Sequence, residues 1–129
     1  MFEEAGPAHL IDAMGTAARA ESAAIAQRLK AVSALYECRR RDYTEAQFWR
    51  TDVFEAVAAE ISAAQNISRG RAANQVRMAV SLYERLPKVA EVFARGDIDY
   101  RLLQMVIART ENVEDDIMAG LDESLADQV

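Results

Sequence analysis

Apolar residues recur at three- and four-residue steps along most of the chain, the signature of helices that each bury one face. The first stripe is Ile11, Met14, Ala18, Ile25, Leu29, Val32 and Tyr36, interrupted at Glu21 and weakened near Gly15 and Thr16. Pro7 suits a first helical turn, where its missing N–H costs nothing. The pattern predicts a long helix, or a short one followed by a long one, over residues 8–38. Residues 39–52, RRRDYTEAQFWRTD, have no apolar period and read as a basic linker that Phe48 and Trp49 pack onto the helices.

Helix punctuation divides the remainder. Asp52 is a suitable N-cap for a second helix that buries Val53, Val57, Ala58 and Ile61 and ends near Asn66, a residue that tolerates the left-handed conformation. Ser68 caps a third helix with Ala72, Val76, Ala79, Val80 and Tyr83 inside. Pro87 ends it and opens a short fourth helix holding Ala90 and Phe93, which Gly96 stops. Asp99 caps a fifth with Leu102, Leu103, Val106 and Ile107. Asn112 and Asp115 make a cap pair for a last helix carrying Ile117, Leu121, Leu125 and Val129. The expected fold is all-α: a multi-helix domain with a long N-terminal helix and a helix-turn-helix-like pair. Its parts are the N-terminal helix (1–38), the basic linker (39–52) and a helical domain (53–129). No C-cap follows Leu125, which reads as truncation of a longer chain.

Composition narrows the chemistry. Five Gly and two Pro in 129 residues leave little turn material for a β-sandwich or barrel. One Cys and one His exclude a disulfide framework and the usual zinc sites. No Ser/His/Asp set, Gly-rich phosphate loop or paired-carboxylate constellation is present, so neither catalytic residues nor cofactors are expected. No apolar run approaches the ~18 residues of a membrane span. The N-terminus lacks the basic and apolar regions of a secretory signal. A soluble cytoplasmic protein is the expectation.

The net charge of −6 conceals a partition. Residues 66–88 carry five cations, Arg69, Arg71, Arg77, Arg85 and Lys88, against Glu84 alone. Residues 89–129 carry ten acids against three arginines. The basic segment either attracts phosphates or is neutralised in the fold by the acidic one.

The turn Asn66-Ile67-Ser68 has the order found in DNA-binding helix-turn-helix pairs: Gly or Asn, an apolar plug, a small cap. Ala58 and Ser62 are small enough for close helix approach. Gln65 stands where an apolar residue is usual, so either it reaches solvent or the helices cross at another angle. At ~100° per residue, Arg71, Asn74, Gln75 and Met78 point away from Val76 and Val80, with Arg77 on one flank. Arg, Asn and Gln are the side chains that make bidentate contacts with base edges. Ser68, Arg69, Arg71, Asn74, Gln75 and Arg77 are therefore the candidate DNA-binding residues. An ordinary polar helix face is the alternative. Arg39, Arg40 and Arg41 read as a solvated loop, Cys38 as an inert thiol, and His9 as structural or exposed.

The stretch from Ala58 to Val113 resembles the 13E12 repeat family, a bacterial domain of unknown function numbered 222. The shared features are the NIS turn, LYERLP at Leu82–Pro87, FARGDID at Phe93–Asp99 and the apolar-periodic helix after Asp99. Gln65 departs from the Leu usual in that family. The resemblance implies a helical region that precedes an HNH endonuclease module, whose His, Asn and Cys residues have no counterpart here. It implies a targeting or accessory role in a nuclease-like or mobile-element protein; double-stranded DNA as the partner is the expectation from Arg69, Arg71, Asn74, Gln75 and Arg77. The rival is a structural or oligomerisation module that self-associates through its N-terminal helix.

Overall fold

In a computed structural model, which describes residues 6–45 and 52–128, the chain forms six helices and no strands among the described residues. They are α1 (Pro7–Glu45), α2 (Val53–Gln65), α3 (Arg69–Arg85), α4 (Pro87–Ala94), α5 (Tyr100–Thr110) and α6 (Asp115–Gln128). Phe48, Trp49 and Val129 lie outside the described residues.

Local chemistry sets the joints. Asp52 caps α2 by accepting from the Phe54 and Glu55 amides at 2.9 and 3.4 Å. Asn66 ends α2 in the left-handed region, at φ 55°. Ser68 Oγ accepts the Arg71 amide at 3.1 Å, and Asp99 the Arg101 amide at 3.0 Å. Gly96 takes φ 82°, and a Cβ there would stand 2.6 Å from the Arg19 carbonyl oxygen. This close approach of α1 to the α4–α5 turn is pinned by Arg19, whose guanidinium contacts Asp97 at 2.6 Å. Arg19, and then Arg95, hold the Asp97 carboxyl below the usual carboxylate range.

The core forms around α3, which packs against α1, α2, α4, α5 and α6. Leu29, Val57, Val76, Leu82, Leu86, Val89, Phe93 and Leu103 are fully enclosed. Burying such a side chain contributes ~1.5–3 kcal/mol. Tyr83 threads between helices and donates its hydroxyl to the Ala26 carbonyl at 3.1 Å.

Three features differ from the periodicity. First, α1 continues through Arg39, Arg40 and Arg41 to Glu45, so those arginines are helical and do not form a solvated loop. Ion pairs sustain this polar stretch without burial: Arg40 with Glu37 at 2.7 Å, Arg39 with Asp42 at 3.4 Å. Arg39 also clasps Glu60 of α2 through two bonds of 3.0 and 2.7 Å, which lowers the Glu60 pKa.

Second, α6 is rotated by about one residue. Met118 and Asp122 face inward, and Ile117 is 56% exposed. The cause is Asp122, which accepts the Lys88 and Val89 amides at 2.9 and 3.0 Å and so caps α4 from a distant part of the chain. Leu86, the residue at the N-cap of α4, supplies no side-chain hydrogen bond. Third, α6 begins at Asp115, which pairs with Arg85 at 3.4 Å instead of capping, and Leu102 of α5 turns outward.

Replacing Asp122 with Ala leaves buried amides of α4 without an acceptor. Urea denaturation of Asp122→Ala should show a loss of ~2 kcal/mol. Gly96→Ala should also destabilise, by at least ~1 kcal/mol, through its left-handed backbone and the contact with Arg19.

Candidate nucleic-acid interface

The surface of interest begins where α3 leaves the α2–α3 turn. Ile67 plugs the turn: its amide donates to the Ser62 carbonyl at 3.1 Å, and its carbonyl accepts the Ser62 hydroxyl at 2.6 Å. Ser68 then satisfies the Arg71 amide. The Arg69 and Gly70 amides, the first two of the helix, remain without a partner among the described residues. Gly70 has open space at its Cβ position, apart from Ser68 Oγ at 4.0 Å, so backbone there is approachable. Helix N-termini of this kind attract anions.

Four of the six candidates share the exposed side of α3. Arg69 and Arg71 are exposed, and neither guanidinium has an ion-pair or hydrogen-bond partner among the described residues. Asn74 is exposed one turn further on, its amide 3.7 Å from Met78 Sδ. Arg77 follows, held over the Phe54 ring of α2 at 5.8 Å from the centroid, a cation–π contact that fixes its direction. Ser68 is also exposed, with its hydroxyl engaged as the cap.

Gln75 corrects the sequence reading. It is 6% exposed and does not face solvent. Its amide and that of Gln65 exchange two hydrogen bonds, at 2.9 and 2.8 Å. The unusual residue before the turn is thereby explained: the half-buried Gln65 finds in Gln75 an amide able to satisfy its own. Met78 is likewise buried, where Tyr100 donates to its sulfur at 3.5 Å. The helix-wheel estimate failed because α3 is packed on several sides, leaving a stripe narrower than half the helix.

The acidic C-terminal segment neutralises only part of the basic one. Arg85 donates to the Thr110 and Glu111 carbonyls at 2.9 and 3.4 Å and to the Val113 carbonyl, and pairs with Asp115. It holds the end of α5 rather than meeting solvent. Lys88 pairs with Glu123 at 3.7 Å. Arg69, Arg71 and Arg77 have no such carboxylate partner among the described residues.

One residue with a place in this surface escaped the sequence reading. Gln104 of α5 joins Asn74 and Arg77 in a shallow groove of about 100 Å³ between α3 and α5, floored by Met78 and Ile107, with Glu111 at its edge. Its periodic position on a helix carried no signal, since only the packing of α5 on α3 brings it there. His9 and Cys38 are exposed on α1. Among the described residues, no helix is long and apolar enough to cross a membrane.

These features define an all-α helical domain organised on a central helix, entered through the turn at residues 66–68. The chain belongs to the family described as Domain of unknown function (DUF222), which matches residues 16–129. Among its relatives are two proteins of Mycobacterium tuberculosis (strain H37Rv), both named as uncharacterised. Rv2100 is 37% identical over 119 residues, 92% of this chain and 21% of that protein. Rv3776 is 36% identical over 126 residues, 97% of this chain and 24% of that protein. A third, the uncharacterised protein in est 3'region of Mycobacterium tuberculosis, is 36% identical over 126 residues, 97% of this chain and 35% of its own length. The chain thus spans between about a fifth and a third of the relatives it matches. No solved structure matches it.

The amide pair is testable by double substitution. Gln75→Leu alone strands the half-buried Gln65 amide and should cost ~1–3 kcal/mol in urea denaturation. Gln65→Leu with Gln75→Leu should recover most of that loss. A double variant no more stable than the single one would show that the pair is not what fixes this turn.

Proposed function

We propose that this domain docks on double-stranded DNA with the first two turns of α3, and that it carries no chemistry of its own. The observation behind this reading is the combination of Arg69 and Arg71, exposed and without carboxylate partners among the described residues, with the open amides of Arg69 and Gly70. Cations and amide donors converging on one short stretch suit the phosphate backbone. Arg71 and Asn74 are the side chains left to reach base edges, since Gln75 is committed to Gln65. Sequence preference should accordingly be slight.

In the longer proteins of the family, such a domain would position a DNA-processing module carried elsewhere in the chain. An HNH endonuclease module is the one that the resemblance to the 13E12 repeat family suggests. The present residues would contribute binding and orientation, and the cutting residues would lie in that module.

Fluorescence anisotropy with a labelled duplex at increasing salt tests the proposal. Three phosphate contacts correspond to a slope of about −3 in log K against log salt. Arg69→Ala with Arg71→Ala should make that slope shallower by about 2 and weaken binding alike for unrelated duplexes. Absence of binding at low salt, or a double variant that binds like the wild type, would refute the proposal.

A further inference from the structure

The outward side of α1 carries a second pattern, distinct from the stripe that meets the core. Leu10, Met14 and Ala17 on its first half continue into Ala24, Ala31 and Leu35 on its second, with Glu21 and Arg28 at the two remaining steps. Successive members are four and three residues apart in strict alternation, the heptad spacing of a coiled-coil seam. Leu10 and Leu35 are half-exposed and the others exposed, so this face of the helix is uncovered over most of its length. Met14 is 68% exposed. Beside Arg28, Ala31 and Leu35, a crevice of about 390 Å³ opens between α1 and α2, walled by Val32, Ile61 and Ala64.

We infer that this seam binds a second copy of the chain, with the two α1 helices antiparallel. The pattern is complementary to itself. Antiparallel pairing about the midpoint between Ser22 and Ala23 sets Leu10 against Leu35 of the second copy and Met14 against Ala31. The large residues at the start of one helix thereby enter the crevice at the end of the other. Ala17, Ala24 and Ala31 permit close approach of the backbones.

The charges fit only this orientation. Glu21 and Arg28 are the only charged members of the seam, and neither has an ion-pair or hydrogen-bond partner among the described residues. In the antiparallel register, Glu21 lies one helical turn, about 6 Å along the axis, from Arg28 of the second copy. The two-fold axis repeats the contact, giving two ion pairs across the seam. A parallel pairing would set Glu21 against Glu21 and Arg28 against Arg28, with like charges facing.

Sedimentation equilibrium of the full chain, without DNA, decides the matter through a charge exchange. The wild type should show a monomer–dimer equilibrium. Glu21→Arg alone and Arg28→Glu alone should each weaken dimerisation at least about tenfold. The double variant Glu21→Arg/Arg28→Glu should restore it, because the pairs are re-formed with reversed polarity. All these positions are exposed, and circular dichroism will verify that each variant remains helical. A wild type that stays monomeric at high concentration, single variants that dimerise like the wild type, or a double variant that fails to recover would each overturn the inference.

Discussion

The burial of α3 among five other helices is the constraint from which the rest follows. Ala72, Val76, Ala79 and Leu82 form its innermost line, and the small residues among them let neighbouring helices come close. Once that line is enclosed, little of the helix surface is free. Gln75 and Met78 fall on the covered side, and each must find a partner there. Gln75 takes Gln65; Met78 takes the Tyr100 hydroxyl at its sulfur. Solvent sees mainly the opening turn and one narrow stripe. A core-facing side and a solvent-facing side are thus parts of the same element, divided by angle and by position along its axis.

The division of charge obeys the same geometry. Cations near the end of α3 and the start of α4 are structural: Arg85 gathers the carbonyls at the end of α5, and Lys88 meets α6. Asp122 works from the other side, bringing a carboxylate to the amides that open α4. The acidic C-terminal segment is therefore tied to one end of the basic segment and leaves the other end uncompensated. Arg39 and Glu60 make an equivalent clasp between α1 and α2.

What could be read from the chain alone was local. Caps and stops at Asp52, Asn66, Ser68, Gly96 and Asp99 were legible because a side chain there acts on amides within three residues of itself, or because the backbone needs a left-handed residue. The all-α architecture and the family motifs were legible for the same reason. Three features were not. The inward turn of Asp122 answers amides more than thirty residues away. The pairing of Gln65 with Gln75 is visible only once the two helices cross. The continuation of α1 past Cys38 has no apolar period to announce it, since that stretch is helical while remaining largely in solvent. Of the candidate site, Arg69, Arg71, Asn74 and Arg77 were correctly assigned to the exposed side, Gln75 was not, and Gln104 needed the packing of α5 to be noticed.

The central claim is that the start of α3 is where this domain meets its ligand. The most direct measurement is an NMR titration of the isotope-labelled chain with a short duplex. The account predicts shifts concentrated in the amides of residues 68–74 and in the Arg69 and Arg71 side chains, with the Gln65 and Gln75 side-chain amides keeping their free-state signals. Shifts centred on α5 or α6, or a Gln75 amide released from Gln65 on binding, would contradict it.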